Sequence, residues 1–300
     1  MERKLKIEVG ESISALRYFL KRFEVATKLY KMFFRGKSFD FEGFRDYNGD
    51  EDVSSIDWKA SYRSGKLLSR KYKEEDDKKI LFVLDIGQNM MFSSSDKLKC
   101  EYAAEIVISL SDIIISNNDR AGLLLFNDRV QQYLLPKRGK QTFESFYNIL
   151  SNPNTYGGGS NLNEALDYLI KNADPHISAI VLISDFINVD KKTKHNLNII
   201  SNKYETLAFM IKDPIDKSLP KINGEFIVES PFNGQQMLIE PKIANRQYEN
   251  YASKQEKFVA DSFKSSGIDF IELSTAKSFI YDLINFLKER VKRKEVRRWT

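Results

Sequence analysis

Two aspartates follow apolar stretches whose composition is typical of buried β-strands. Asp85 ends the run ILFVLD, and Asp185 follows the run VLIS. Between them the Gly-rich turn TYGGGS (155–160) places Ser160 just before a helical stretch. Because the carboxyl ends of parallel strands meet at one edge of a sheet, these side chains are expected to converge there. Two carboxylates, the hydroxyl of Ser160 and the amide of Asn89, four residues after Asp85, suit a hard divalent cation that prefers oxygen ligands.

The same two aspartates have a structural alternative. Asp85 and Asp185 each precede a stretch that can form a helix, and aspartate is a common N-cap. The residues alone leave a metal site and a pair of helix caps as open alternatives.

The stretches that position these residues alternate between strand and helix patterns. Strands are predicted at 78–85, 119–126, 130–135 (a hairpin partner), 176–184, 204–211 and 268–274, and helices at 97–117, 141–150, 161–172, 191–202, 243–266 and 278–295. Such alternation predicts an α/β fold with an open, mainly parallel sheet flanked by helices.

An amphipathic helix is predicted near the N-terminus, at 12–34. Apolar residues recur there at three- and four-residue spacing, with Ser12 as the N-cap and Gly36 as the end. We expect this helix to pack against the rest of the fold. Because the helix is basic, contact with a membrane surface is the alternative.

Two further segments interrupt the alternation. Residues 36–75 are predicted to form a small β addition, and residues 214–241 a β-hairpin insertion that turns at Asn233-Gly234. We therefore predict two domains, with the N-terminal helix and β addition in 1–76 and the larger α/β domain in 77–300.

Composition argues against most catalytic chemistry. The 300 residues include two histidines and one cysteine, which leaves few ligands for zinc and few bases for a nucleophile. A G-x-S-x-G motif is absent, and Gly36-Lys37-Ser38 lacks the upstream glycine of a P-loop. The formal charge of +5 is spread over the chain and does not predict nucleic-acid binding. Without a secretory leader or an apolar run of bilayer length, the chain is expected to be cytoplasmic.

The order of the candidate residues resembles the metal-ion-dependent adhesion site of von Willebrand factor A-type domains. That site reads D-x-S-x-S, then a threonine, then an aspartate after a later strand; here D-I-G-Q-N begins at Asp85, followed by Ser160 and Asp185. The resemblance implies an A-type (Rossmann-type) fold and Mg²⁺ or another divalent cation held by Asp85, Asn89, Ser160 and Asp185. Gly87 departs from the motif because it has no side-chain oxygen. A serine there is expected to restore a ligand and raise the affinity.

Residues 44–75 resemble the signature of domain-of-unknown-function family 58, R-E-Y-x-P-G-D-D-V-R-x-I-D-W-x-A-S-A-R-x-G-x-L. The matching residues are Arg45, Tyr47, Val53, Ile56, Asp57, Trp58, Ala60, Ser61, Arg63, Gly65 and Leu67. The family's arginines are replaced by Ser54 and Ser55, so contacts made by those arginines are not carried over.

Members of that family are usually found with MoxR-type AAA+ ATPases. The resemblance therefore implies a non-enzymatic adaptor or assembly factor that interacts with such an ATPase and presents its metal edge to an acidic residue of a client protein. Two alternatives remain: a phosphoester hydrolase that uses Asp85 and Asp185 with a metal ion, and a scaffold that has lost the metal.

Trp58 is expected to be buried where the β addition meets the sheet. Residues 36–75 contain few aliphatic side chains, so a large anchor is needed there. Arg45, Asp57 and Arg63 are expected to lock the addition in place, with a partner-docking surface as the alternative. The basic run at 287–300 is interpreted as a solvated helix end, with an acidic partner or RNA as the alternative.

Overall fold

A six-stranded β-sheet lies at the centre of the protein. The computed structural model describes residues 5–22, 40–49, 53, 56–73, 77–220, 224–229 and 235–296. In chain order, its longer elements are α1 (Val9–Arg22), β1 (Asp40–Asp46), α2 (Trp58–Ser64), β2 (Leu68–Lys73), β3 (Lys79–Asp85), α3 (Lys99–Ser116), β4 (Arg120–Phe126), β5 (Val130–Lys137), α4 (Lys140–Leu150), α5 (Leu162–Asn172), β6 (Ala179–Ser184), α6 (Lys191–Lys203), β7 (Glu205–Lys212), β8 (Phe226–Glu229), β9 (Gln236–Ile239), α7 (Pro241–Ser265), β10 (Asp269–Ser274) and α8 (Phe279–Val296).

The sheet has the strand order β10-β7-β6-β3-β4-β5. Every neighbouring pair is parallel except β4 and β5, which form an antiparallel hairpin at one edge. The predicted α/β class, the mainly parallel sheet and the hairpin partner at 130–135 are therefore confirmed. The order reverses direction between β3 and β6, and in open α/β sheets such a point opens a crevice at the strand carboxyl ends.

Alternate residues of the central strands enter two separate hydrophobic layers. Ile80, Phe82 and Leu84 of β3 belong to the layer that contains the buried side chains of α1, α3, α4 and α8. Leu81 and Val83 belong to the opposite layer, with those of α5, α6 and α7. Because helices cover both faces, a central strand is apolar along its whole length rather than alternating with polar residues.

The N-terminal segment is fastened to α3 by buried carboxylates. The backbone N–H groups of Lys6 and Glu8 donate to the side chains of Glu101 and Glu105, each at 2.7 Å. The predicted N-terminal helix begins at Val9, so Ser12 lies inside it and is not its N-cap. The predicted continuation from residue 23 to Gly36 lies outside the described residues.

The predicted β addition contains a helix that the sequence analysis missed. β1 and β2 pair in antiparallel fashion, as expected, but α2 lies between them. The carboxylate of Asp57 accepts hydrogen bonds from the N–H groups of Lys59 (3.1 Å) and Ala60 (3.0 Å), which begins the helix. Gly65, with φ of 69°, ends it in the left-handed conformation that glycine adopts without strain. Asp57 and Gly65 were the available sequence signals.

The expectation that Trp58 is buried is wrong. Its side chain is 63% exposed, and that of Tyr62, one turn later, is 91% exposed. Among the residues of this region whose burial the structure describes, the buried apolar side chain is that of Ile56, which forms a β-bridge to Ser69. The hydroxyl of Ser61 accepts a 2.8 Å hydrogen bond from the N–H of Leu68. Thus α2 is joined to β2 by a hydrogen bond between a side chain of the helix and the backbone of the strand, and not by a buried tryptophan.

The predicted hairpin insertion is present as β8 and β9, which pair from Phe226 opposite Ile239 to Glu229 opposite Gln236. Its predicted turn at Asn233-Gly234 lies outside the described residues. Among the described helices, none is long and apolar enough to cross a membrane.

One arginine of the basic C-terminal run is an internal residue. Arg290 of α8 is 2% exposed and donates to Glu205 of β7 and Asp269 of β10. Removing one partner of a buried ion pair leaves uncompensated charge, so we expect Arg290→Ala to lower the free energy of unfolding by about 3–5 kcal/mol. Arg293→Ala is the control because its side chain is 58% exposed, and we expect a loss below about 1 kcal/mol. Urea unfolding checks this, and equal losses in the two variants would contradict it.

Candidate functional site at the carboxyl edge of the sheet

The carboxyl ends of β3 and β6 bring the predicted site residues together. Asp85 is the last residue of β3, and Asp185 follows the last residue of the neighbouring β6. Asn89 lies in a 3-10 turn just after β3, and Ser160 precedes α5. Asp85, Asn89 and Asp185 are all buried. The expected convergence of these residues at one sheet edge is therefore found.

Four groups donate hydrogen bonds to the carboxylate of Asp85. Its Oδ1 accepts from the N–H of Gly87 at 2.9 Å. Its Oδ2 accepts from the hydroxyls of Ser160 and Ser184, each at 2.7 Å, and from Nδ2 of Asn89 at 3.2 Å. This carboxylate holds the Gly-rich turn, the end of β6 and the 3-10 turn together.

A buried lysine binds the carboxylate of Asp185. Nζ of Lys99, the first residue of α3, lies 2.9 Å from Oδ2 of Asp185 and 3.3 Å from Oδ2 of Asp216. The side chain of Lys99 is 2% exposed. Oδ1 of Asp185 accepts from Nδ2 of Asn89 at 2.8 Å, so the Asn89 amide bridges the two predicted metal-binding carboxylates.

Burial and charge set the protonation of this cluster. Burial, and secondarily the negative charge of Asp185, raise the pKa of Asp85 to about 6, although hydrogen bonds from Gly87, Ser160 and Ser184 oppose the shift. Burial alone would lower the pKa of Lys99. The carboxylates of Asp185 and Asp216 outweigh that effect and hold the pKa above its usual value, so the ammonium stays charged.

The arrangement of donors does not fit a divalent cation. Both carboxylate oxygens of Asp185 accept hydrogen bonds from Asn89 and Lys99, and the hydroxyl of Ser160 donates to Asp85. Oδ1 of Asn89 is buried without a donor, but one amide oxygen falls far short of the octahedral oxygen shell that Mg²⁺ requires. Among the described residues there is also no group of three or more His, Cys, Asp or Glu side chains that could hold a metal.

The expectation that serine at position 87 restores a ligand is contradicted by the local packing. A Cβ atom on Gly87 would lie 2.4 Å from Oδ1 of Asn89 and 2.4 Å from the backbone oxygen of Gly159. Contacts this short are not tolerated, and the backbone oxygen is fixed by the Gly-rich turn. Glycine is therefore required at this position by the close approach of the two loops.

A further buried aspartate, Asp213, which the sequence analysis missed, is linked to Lys99 through Asp216. Asp213 follows β7, and its N–H donates to Oδ2 of Asp216 at 2.9 Å. Its carboxylate accepts from the hydroxyls of Ser93, Ser94, Ser95 and Thr275. The run of three serines was the available signal, since hydroxyls in a loop can satisfy a buried carboxylate.

Sequence comparison finds one family and one curated relative. The family described as "Protein of unknown function DUF58" matches residues 43–258. The uncharacterized protein MAV169 of Mycobacterium avium is 28% identical over 112 residues, which are 37% of this chain. The chain spans 64% of the length of that relative.

Structural comparison finds similar but distant chains. BatB from Bacteroides thetaiotaomicron is 13% identical with a TM-score of 0.45, and the match covers 72% of this chain and 99% of that one. The SpRpn10 VWA domain is 13% identical with a TM-score of 0.40, covering 69% and 94% of the two chains.

Substitution of Gly87 tests the packing of the edge. We expect Gly87→Ser to lower the free energy of unfolding by about 1–3 kcal/mol because the added atoms overpack the two loops. Gly10→Ala is the control, since a Cβ on Gly10 in α1 meets nothing within 4 Å. This control should be neutral or stabilising by up to about 1 kcal/mol. Thermal and urea unfolding measure both, and a stable Gly87→Ser protein would contradict the placement of the Gly-rich turn.

Acid unfolding tests the hydrogen bonds that hydroxyl groups donate to the carboxylate of Asp213. Burial would raise the pKa of Asp213, but hydrogen bonds from Ser94, Ser93, Ile215 and Thr275 lower it to about 2. Because an unfolded aspartate has a pKa of about 3.9, the carboxylate stabilises the fold above that pH, and this contribution is lost as the pH falls toward 2. We expect the difference in unfolding free energy between wild type and Asp213→Asn to shrink from roughly 2 kcal/mol as the pH is lowered through this range. A difference that does not vary with pH would contradict the assignment.

Proposed function

The chain belongs to the DUF58 family, and on that premise we propose that it is a non-enzymatic protein-interaction module that serves a MoxR-type AAA+ ATPase as an adaptor or assembly factor. The von Willebrand factor A-like arrangement of its sheet provides a rigid support for an interaction surface. The ATPase partner is inferred from the resemblance of the sequence to the family. The exposed side chains described below support an interaction role.

The observation that carries the proposal is the exposure of two aromatic side chains on α2. Trp58 and Tyr62 are 63% and 91% exposed and lie four residues apart, on the same side of the helix. Lys59 and Arg63 are exposed beside them. We call these four residues the α2 surface. Large aromatic side chains and arginine are enriched among the residues that dominate binding energy in protein interfaces.

The position of the α2 surface in the sequence also supports a binding role. Trp58 and Arg63 belong to the signature by which residues 44–75 resemble the family, and their side chains are not needed to fill the core. A signature tryptophan that remains largely in water is more useful to a partner than to the fold. The two cations among the aromatic rings suit a partner surface that combines acidic and apolar side chains.

Of the two rival functions, the phosphoester hydrolase receives less support from the geometry. A phosphoester hydrolase built on Asp85 and Asp185 needs a metal ion, and the donors around these carboxylates do not fit one. For the same reason, the acidic client residue expected at a metal ion is left out of the proposal. A scaffold without a metal ion remains compatible with docking through the α2 surface.

Aromatic substitutions on α2 test the proposal. We expect Trp58→Ala and Tyr62→Ala each to weaken binding of the MoxR-type ATPase by roughly 30-fold, corresponding to the loss of about 2 kcal/mol at an interface hot spot. The melting temperature should hardly change because both side chains are exposed. Binding is measured by biolayer interferometry with the ATPase from the same genome.

Tyr281→Ala provides the matched control, since this aromatic side chain on α8 is 73% exposed and lies outside the signature. It should leave binding unchanged. Unchanged binding in both α2 variants would refute docking through this surface. A large drop in melting temperature with intact binding would show that Trp58 supports the fold instead.

A further inference from the structure

We propose that the ammonium group of Lys99 is a built-in cation that replaces the divalent metal ion at the carboxyl edge of the sheet. This inference concerns the buried carboxyl edge of the sheet and not the exposed α2 surface. It does not depend on the identity of the partner. It makes the edge a closed structural cluster with a fixed cation of its own rather than a site that gains and loses an ion.

The position of Lys99 supports this role. The residue begins α3, where the partial positive charge of the helix N-terminus disfavours a lysine. Its ammonium nevertheless turns into the protein and contacts Asp185 and Asp216, which follow two adjacent strands, β6 and β7. The favourable contacts with these carboxylates offset both the helix dipole and the loss of hydration.

The charges of the cluster require a cation at this place. Asp85, Asp185 and Asp216 bring three carboxylates to one edge, and the first two are at most 1% exposed. Burial of unpaired carboxylates is strongly unfavourable, so a positive group must accompany them. Lys99 supplies it without a ligand, and a divalent ion bound beside the ammonium would be repelled by it.

The amide of Asn89 completes the replacement. Its Nδ2 donates to both Asp85 and Asp185 and so occupies the space between the two carboxylates that a bridging metal ion would use. A metal-binding arrangement would need the amide oxygen to face the ion. Lys99 and Asn89 therefore provide, with N–H donors, the positive contacts that an ion provides elsewhere.

The experiment compares the response of three intact chains to Mn²⁺. In wild type, calorimetric titration with Mn²⁺ should give no saturable heat, and millimolar Mn²⁺ should leave the melting temperature unchanged. Lys99→Met keeps the length of the side chain but removes its charge. We expect this variant to lose roughly 10 °C in melting temperature, as for a broken buried ion pair, and to regain part of that loss with Mn²⁺.

Lys192→Met is the matched control. Lys192 is the second residue of α6, its side chain is 57% exposed, and it pairs with the partly exposed Asp167, outside the edge cluster. It should lose little stability and show no response to Mn²⁺. Saturable binding of Mn²⁺ by wild type would overturn the proposal, as would a Lys99→Met protein no less stable than Lys192→Met. Because the titration of wild type needs no variant, the proposal stays testable if Lys99→Met does not fold.

Discussion

The buried ion pair between Lys99 and Asp185 is the interaction on which the carboxyl edge of the sheet depends. It joins the start of α3 to the end of β6, and through Asp216 it reaches the segment that follows β7. Two charges that have left water must stay paired, because either one alone is strongly unfavourable in the interior. The three elements are therefore fixed relative to one another. The protein's own side chains, those of Lys99, Asp185 and Asp216, occupy the crevice at the switch point of the sheet.

Hydrogen bonds spread from this ion pair along the edge. Asn89 links Asp185 to Asp85, and Asp85 in turn holds the hydroxyls of Ser160 and Ser184. On the other side, the carboxylate of Asp216 accepts a hydrogen bond from the backbone N–H of Asp213. The carboxylate of Asp213 in turn accepts hydrogen bonds from the serine hydroxyls of residues 93–95. This polar layer seals the end of the apolar core. In the proposed function, the partner is therefore bound by exposed side chains outside this edge, namely those of the α2 surface.

Much of the fold could be predicted from the sequence, because buried parallel strands and their helices have distinct apolar patterns. The convergence of Asp85 and Asp185 followed from strand direction alone. Lys99 was missed because a lysine at the start of a helix normally points into water. Trp58 was placed wrongly because composition could not reveal that Asp57 caps a short helix and turns the tryptophan outward. The need for glycine at 87 depends on a close approach of two loops, which no local pattern encodes.

The most direct test is a crystal structure of the wild-type protein grown with Mn²⁺, with anomalous diffraction recorded to locate the metal. If Lys99 replaces the metal ion, no anomalous peak lies between Asp85 and Asp185, and Nζ of Lys99 lies within hydrogen-bonding distance of Oδ2 of Asp185. An anomalous peak between the two carboxylates, with the ammonium of Lys99 displaced from Asp185, would contradict this replacement.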